Sequence, residues 1–213
     1  MKTSACFSYA GRGLRLEHLH RHRQASPPRT GSILAAPHSL PSTPGDVFVI
    51  GDSIVRNLNI ACPNQKSFVS CFLSSHVRDV MRHVLTVFEK HKNRAVGSIV
   101  IHAGVNDVRH QQSEILKVDF AALIKAMKER TPSARIFILG PLPLIRRSNE
   151  YYSGLLGLNT WLKGFCENQN IGFVDNWDLF WERPRFFKRD GLHPNRFGAR
   201  VLSENIAKVI RFS

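Results

Sequence analysis

Cysteine is scarce in this sequence, and long apolar runs are missing from it. The four cysteines, Cys6, Cys62, Cys71 and Cys166, lie far apart and form no CxxC pair. That pattern argues against a zinc site and against a dense disulfide framework, and it favours reduced cysteines in an intracellular protein. No apolar run approaches the roughly 18 residues that a membrane-spanning helix needs, so the sequence predicts no transmembrane segment.

Three motifs that would indicate other chemistries are also absent. The chain has no G-x-x-x-x-G-K-[ST] loop and no G-x-G-x-x-G fingerprint, which argues against nucleotide binding at the first strand–helix turn. It has no G-x-S-x-G sequence either, so the nucleophile elbow of the α/β-hydrolases is disfavoured. The 213 residues are nevertheless 43% hydrophobic, which is enough for one buried core and excludes global disorder.

Acidic residues are few, since 16 Asp and Glu stand against 30 Lys and Arg and leave a net charge of +14. Such an excess suggests an acidic partner, either nucleic acid or an anionic membrane surface, without indicating a fold. The excess is not confined to the N-terminal part, because residues 46–213 hold 24 Lys and Arg against 15 Asp and Glu. A basic surface on the folded domain would therefore allow nonspecific contact with either partner.

Residues 1–45 differ in composition from the rest of the chain. They are rich in Arg, Ser and Pro, hold the single acid Glu17, and have no sustained hydrophobic periodicity. We interpret them as a disordered basic tail in front of one folded domain at residues 46–213. An organellar transit peptide, or a metal- or phosphate-binding role for His18, His20 and His22, is the alternative. The first residues make a poor signal peptide, so the expected location is the cytoplasm or the nucleus.

From residue 46 onward, short apolar runs alternate with amphipathic stretches. Strands are predicted at residues 46–51, 66–72, 97–104, 134–140 and 171–175. Helices are predicted at residues 77–90, 113–129, 150–168 and 195–211. The strand runs lack polar alternation, which is typical of parallel strands covered on both faces. The pattern predicts an α/β fold with a parallel sheet, whose functional residues should follow the carboxyl ends of the strands.

Two short motifs follow the first and third predicted strands. The GDS motif ends at Ser53, at the start of a predicted helix, where backbone N–H groups suit a nucleophile whose transition state carries an oxyanion. In the GVND motif, Gly104 lets the backbone approach a ligand, and the Asn106 amide can donate a hydrogen bond to it. The simpler alternatives are a helix N-cap at Asp52 or Ser53 and an Asx-turn at Asn106 or Asp107.

A third motif follows the last predicted strand. Asp190 and His193 are three positions apart and precede Pro194, which opens a helix. This spacing lets the carboxylate reach the imidazole Nδ1–H, which fixes the tautomer and leaves Nε2 as a base. The alternative is a capping turn with a surface histidine. A hydroxyl, a carboxylate and an imidazole therefore all follow strands that one sheet would bring together.

These motifs resemble the blocks of the SGNH (GDSL-like) hydrolase family. GDS at 51–53 matches the first block, GVND at 104–107 the third and DGLH at 190–193 the last, and the resemblance covers about residues 46–211. It implies a flavodoxin-like, three-layer α/β/α sandwich with five parallel strands. It also implies Ser53 as the nucleophile, His193 as the base and Asp190 as the residue that orients the base. Acyl transfer of this kind needs no metal or cofactor, so none is predicted.

The same resemblance implies an oxyanion hole. Its donors would be the Ser53 N–H, the Asn106 side chain beside Gly104, and a backbone N–H of the second block. The second block is where this chain departs from the family, because "CFLSSHVRDV" has Ser74 where a glycine is expected. A positive φ would strain a serine there and distort the hole, so we expect lower catalytic efficiency rather than a different fold. The alternative is that Ser74 caps the following helix.

The predicted function is a serine esterase or lipase that cleaves carboxylic esters of a small acyl group or a lipid through an acyl-serine intermediate. A narrower likeness, carried by "GDSIVRN", "HAGVNDV" and "DNWDLFWERPRFFKRDGLHPNRFG", is to the esterase-type domains in the first open reading frame of vertebrate non-LTR retrotransposons. It implies an alternative: a retrotransposon-derived protein of the same fold, weakly active or inactive, that binds nucleic acid or an anionic membrane surface.

Two segments are expected to lie beside the pocket, residues 141–150 and residues 176–189. The second is rich in aromatic residues, which either form an apolar acyl wall or pack the last helix onto the sheet, with the Arg side chains extending to solvent. His102, inside the third strand, is expected to be a hydrogen-bonded structural residue.

Overall fold

The computed structural model describes residues 45–110, 113–145 and 148–213. The strands are β1 (Asp46–Gly51), β2 (Ser67–Cys71), β3 (Val96–His102), β4 (Arg135–Leu139) and β5 (Gly172–Val174). The helices are α1 (Val77–Lys90), α2 (Ser113–Arg130), α3 (Asn149–Asn168), α4 (Trp177–Phe180) and α5 (Arg196–Phe212). No helix in this part of the chain is both long and apolar enough to cross a membrane. The predicted basic tail lies outside the described residues, except for Gly45.

The five strands form one sheet in the order β2-β1-β3-β4-β5, and every pair is parallel. This order is that of the flavodoxin-like doubly wound folds, so the predicted α/β fold is confirmed. The structure also explains the missing polar alternation. Side chains of β1 enter a core on each face, with Phe48 and Ile50 on one side and Val47 and Val49 on the other.

Two apolar layers cover the sheet. The first holds the buried faces of α1, α2 and α3, and the second holds α5 together with residues 54–60 and Phe180 of α4. A third, smaller cluster is formed by Val105, Leu144, Leu155 and Trp177. The polypeptide therefore has the three-layer α/β/α arrangement, with the loops after β1, β3 and β4 at one end of the sheet.

The chain connections change direction between β1 and β3. The strand after β1, which is β2, lies on one side of this pair, and the strand after β3, which is β4, lies on the other side. Loops leave the sheet in opposite directions at such a switch point and open a crevice beyond the carboxyl ends of the two strands. Ser53 follows β1 directly and Asn106 follows β3, so both lie at this crevice.

Candidate functional site

The turn after β1 presents Ser53 at the start of a single short helix. The helix predicted to begin at Ser53 is a 3-10 turn over Ser53–Asn57, so the contribution of a helix dipole at Ser53 is small. Asp52 is its N-cap, because the carboxylate Oδ1 accepts a hydrogen bond from the Ile54 N–H at 2.9 Å. The capping alternative therefore applies to Asp52, and the Ser53 hydroxyl is left for other contacts.

The Asp52 carboxylate also connects β1 to β3. Its Oδ1 lies 3.0 Å from Nδ1 of His102, and both side chains are almost completely buried. A neutral imidazole in this position donates its Nδ1–H to the carboxylate. His102 therefore makes the structural hydrogen bond expected of it, and this bond fixes the turn that carries Ser53.

A continuous set of hydrogen bonds runs from Asp190 through His193 to Ser53. The Asp190 Oδ2 to His193 Nδ1 distance is 2.7 Å, and the His193 Nε2 to Ser53 Oγ distance is 2.8 Å. The carboxylate favours the tautomer with the proton on Nδ1, so Nε2 is an acceptor for the serine hydroxyl. The His193 side chain is 29% exposed and Ser53 is only partly buried, so a ligand can reach this pair from the crevice.

Hydrogen bonds to the backbone fix the turn that holds Asp190 and His193. Asp190 Oδ1 accepts hydrogen bonds from the backbone N–H groups of Leu192 at 2.9 Å and of His193 at 3.0 Å. Partial desolvation acts to raise the pKa of Asp190, but these N–H groups and the His193 ring outweigh it and lower the pKa to about 2. Asp190 is therefore ionised at every pH at which an imidazole base works.

Glycine is required at the centre of this turn. Gly191 has a φ of +66°, and a Cβ added there would lie 2.4 Å from the carbonyl oxygen of Ile145. The Ile145 N–H in turn donates to the Gly191 carbonyl at 2.9 Å. The loop after β4 thus holds the Asp190–His193 turn in place, and Ile145 of the segment 141–150 lies beside the candidate site.

The loop after β3 presents Asn106 on the other side of the crevice. Its Nδ2 donates to the backbone carbonyl of Ser75 at 3.0 Å rather than closing an Asx-turn. A side-chain amide has two N–H donors, so one can hold Ser75 while the other serves a ligand. Gly104, with a φ of +97°, starts the loop, and a Cβ there would crowd Phe120 and Leu158 at 3.1 Å.

Asp107 joins the same two loops. Its carboxylate accepts from the Val77 N–H at 3.2 Å and lies 3.3 Å from Nδ1 of His76. Burial raises the pKa of Asp107, and the hydrogen bond from Val77 and the nearby imidazole act against that increase. Asn106 and Asp107 therefore both fix the segment that begins α1.

Ser74 has a left-handed backbone conformation, with a φ of +53°. A non-glycine residue at such a φ costs roughly 1–2 kcal/mol, so the strain expected from the sequence is present. The helix that follows has its N-cap at His76, whose N–H donates to Asp79 at 3.0 Å. The alternative that Ser74 caps α1 is therefore wrong.

The aromatic segment at residues 176–189 is mostly part of the core. Trp177, Phe180 and Phe187 are buried, and Phe180 packs edge-on against Phe186 and Phe187. Trp181 differs, because it is 42% exposed. The packing alternative thus accounts for the buried rings.

The structure brings Ser53, Asp190 and His193 into one hydrogen-bonded set and holds the loops of Ser74 and Asn106 together through Ser75. Sequence reasoning missed the partners of Asp52 and Asp107, because these lie 50 and about 30 positions away in the chain. It also missed a cavity between α2 and α3. The glycines Gly154 and Gly157, three positions apart in a helix, were the available signal.

Comparison with known proteins finds one matching family model and several similar solved structures. The model of the GDSL-like lipase/acylhydrolase family matches residues 49–201. The esterase domain of the ZfL2-1 ORF1 protein, from a zebrafish retrotransposon, is 44% identical over 78% of this chain and 99% of its own, with a TM-score of 0.46. That identity confirms the resemblance to retrotransposon esterase domains. No curated protein matches the chain.

More distant structures share the fold. An acetylxylan esterase from Geobacillus stearothermophilus has a TM-score of 0.63 at 16% identity, covering 81% of this chain and 96% of its own. A member of the lipolytic G-D-S-L family from Veillonella parvula has a TM-score of 0.62 at 17% identity, covering 77% and 97%. At these identities the likeness concerns the three-layer fold alone.

Proposed function

The chain belongs to the GDSL-like lipase/acylhydrolase family, and we propose that it hydrolyses carboxylic esters through an acyl-serine intermediate. The observation that carries the proposal is the hydrogen-bonded set Asp190–His193–Ser53, with distances of 2.7 and 2.8 Å. A hydroxyl bonded to an imidazole that a carboxylate orients is the arrangement that activates a serine nucleophile. The name of the 44% identical zebrafish domain, an esterase domain, supports the same reaction.

The acylation step follows from the positions of these atoms. Ser53 Oγ attacks the carbonyl carbon of the ester, and its proton passes to Nε2 of His193. The ionised Asp190 stabilises the imidazolium that forms. When the tetrahedral intermediate collapses, the bond to the alcohol oxygen breaks, and Nε2 returns the proton to that oxygen. The alcohol leaves, and Ser53 carries the acyl group.

Deacylation repeats these steps with water in place of Ser53. His193 takes a proton from water, the resulting hydroxide attacks the acyl carbon, and the proton returns to Ser53 Oγ as the carboxylic acid leaves. In both halves, we assign the oxyanion to the Ser53 N–H, the Ser74 N–H and an N–H of Asn106, with Gly104 setting the course of the Asn106 loop. One side-chain donor of this kind contributes about 3–4 kcal/mol in measured cases.

Hydrolysis of p-nitrophenyl acetate tests the proposal. Wild-type protein should release nitrophenol and be labelled by a fluorophosphonate, and Ser53→Ala should do neither. Ser133→Ala is the matched control, because Ser133 is exposed in the turn before β4, at the opposite end of the sheet. Equal release by wild type and Ser53→Ala, with no labelling of either, would overturn the esterase assignment.

A second candidate function is nonspecific binding of nucleic acid or of an anionic membrane surface, with weak or no catalysis. It is favoured by the exposed basic residues that flank the Asp190–His193 turn and begin α5: Arg185, Lys188, Arg189, Arg196 and Arg200. Binding through such residues should weaken steeply with salt, because counterions are released from the polyanion. Affinity for single-stranded DNA that does not change between 50 and 200 mM salt would exclude this role for nucleic acid.

A further inference from the structure

A cavity of about 550 Å³ lies between the loop after β3 and the facing sides of α2 and α3. Its walls include the apolar side chains of Val108, Leu116, Leu158 and Trp161. This volume lies within the roughly 300–1,000 Å³ of small-molecule sites, which are mostly apolar. None of the described residues that line it belongs to the Asp190–His193 turn.

Two glycines of α3 line this cavity. A Cβ at Gly154 would lie 2.6 Å from Cγ1 of Val108, so the helix and the loop touch at that point. A Cβ at Gly157 would meet no described atom within 4 Å, because the space in front of it is the cavity. Gly164, two turns further along the same helix, also faces open space but does not line the cavity.

The cavity shares a wall with the loop that carries Asn106. Asp107 and Val108 line the cavity directly after Asn106, and the Tyr151 hydroxyl on the opposite wall donates to the Val105 carbonyl at 2.8 Å. The rim mixes both signs of charge, with Arg109 and Lys117 against Asp107 and Glu150. Its occupant is therefore more readily a neutral apolar chain than an ion.

We propose that this cavity binds the acyl chain of the ester, an inference that rests on the proposed function. The alcohol must leave toward Nε2 of His193, which protonates it, so the alcohol lies on the side of the Asp190–His193 turn. The acyl chain extends from the other side of the carbonyl carbon, past Asn106. The cavity begins at Asp107, the residue after Asn106, and its apolar walls select medium-length unbranched acyl chains.

A series of p-nitrophenyl esters tests the inference, since the leaving group stays constant while the acyl chain grows from acetate to octanoate. In the wild type, kcat/KM should rise about fourfold for each methylene that enters the cavity, the equivalent of about 0.8 kcal/mol. Gly157→Leu places a side chain in the cavity. It should lower kcat/KM for the octanoate ester at least tenfold and leave that for the acetate within twofold.

Gly164→Leu is the matched control, because it makes the same change on the same helix outside the cavity and should leave the whole series unchanged. Both substitutions replace an exposed helical glycine by a better helix former, so folding is expected to survive. If Gly157→Leu does not fold, Gly157→Ala should still reduce the octanoate-to-acetate ratio measurably. An equal ratio in the Gly157 and Gly164 variants would overturn the acyl site. A wild type that does not hydrolyse even the acetate would instead overturn the proposed function.

Discussion

The two sides of Ser53 are built in different ways. On the base side, Asp190 and His193 lie three positions apart in one turn, and the carboxylate bonds both the ring and the backbone of its partner. On the proposed oxyanion side, two of the three proposed donors, at Ser74 and Asn106, lie in the loops after β2 and after β3, which only tertiary contacts bring together. Those contacts are the Asn106–Ser75 and Asp107–Val77 hydrogen bonds.

The difference concerns how much of the geometry is set locally. The base side is pre-organised by its own backbone, because Gly191 permits the turn and two N–H groups fix the carboxylate. The oxyanion side depends on the packing of the loop after β3 against the start of α1, and it contains the left-handed Ser74. We therefore expect substitutions on the base side to act on the chemistry, and substitutions on the oxyanion side to act on chemistry and backbone together.

The largest effect should come from the base side. Asp190→Asn should lower kcat by about 10⁴-fold, because an amide no longer holds the imidazole in the productive tautomer. KM should change little, since both carboxylate oxygens of Asp190 bond within its own turn, to Leu192 and His193. Nitrophenyl acetate kinetics measures both constants. A loss below about tenfold would mean that Asp190 does not orient His193.

The pH dependence of stability gives that variant a second readout. The pKa of Asp190 in the folded protein is about 2, below its value in an unfolded chain. The ionised carboxylate therefore stabilises the fold fully above the unfolded pKa, and this contribution is lost as the pH falls through about 2. The difference in unfolding free energy between wild type and Asp190→Asn should shrink as the pH falls from about 4 toward 2. A difference that grows over this acid range would contradict the assignment.

An intermediate effect is expected on the oxyanion side. Asn106→Ala should lower kcat roughly 10²–10³-fold through loss of the donor. Because Asn106 also bonds the Ser75 carbonyl, the same change should weaken the contact between the two loops. Urea unfolding should then show a loss of about 1 kcal/mol, the usual cost of one hydrogen bond. A fall in kcat without loss of stability would mean that the Ser75 contact is dispensable.

The sequence predicts the base side more fully than the oxyanion side, because local spacing sets the first and tertiary contacts set the second. Local spacing is enough to bring Asp190 to His193, and strand–helix alternation is enough to bring both to the sheet end where Ser53 stands. The contacts of Asp107 with His76 and Val77 depend on how the start of α1 packs against the loop after β3, which no local pattern encodes. The sequence predicts a helix that begins at Ser53 but not its 3-10 form, because the buried Ile54 and Val55 fit either kind of helix.

The smallest effect is expected at Ser74. Its stability and activity together distinguish backbone strain from a role in function. Ser74→Gly relieves a left-handed φ of +53°, worth roughly 1–2 kcal/mol, but adds chain entropy in the unfolded state, worth roughly 0.5–1 kcal/mol. The net gain in unfolding free energy should be about 0.5–1 kcal/mol, with kcat unchanged or higher because the backbone N–H remains. Asn64→Gly is the control, because Asn64 has a φ of +61° outside the site and asparagine tolerates that conformation better. If Ser74→Gly gains stability and loses activity, the strain itself shapes the proposed oxyanion hole, and the oxyanion side then depends on a serine at this position.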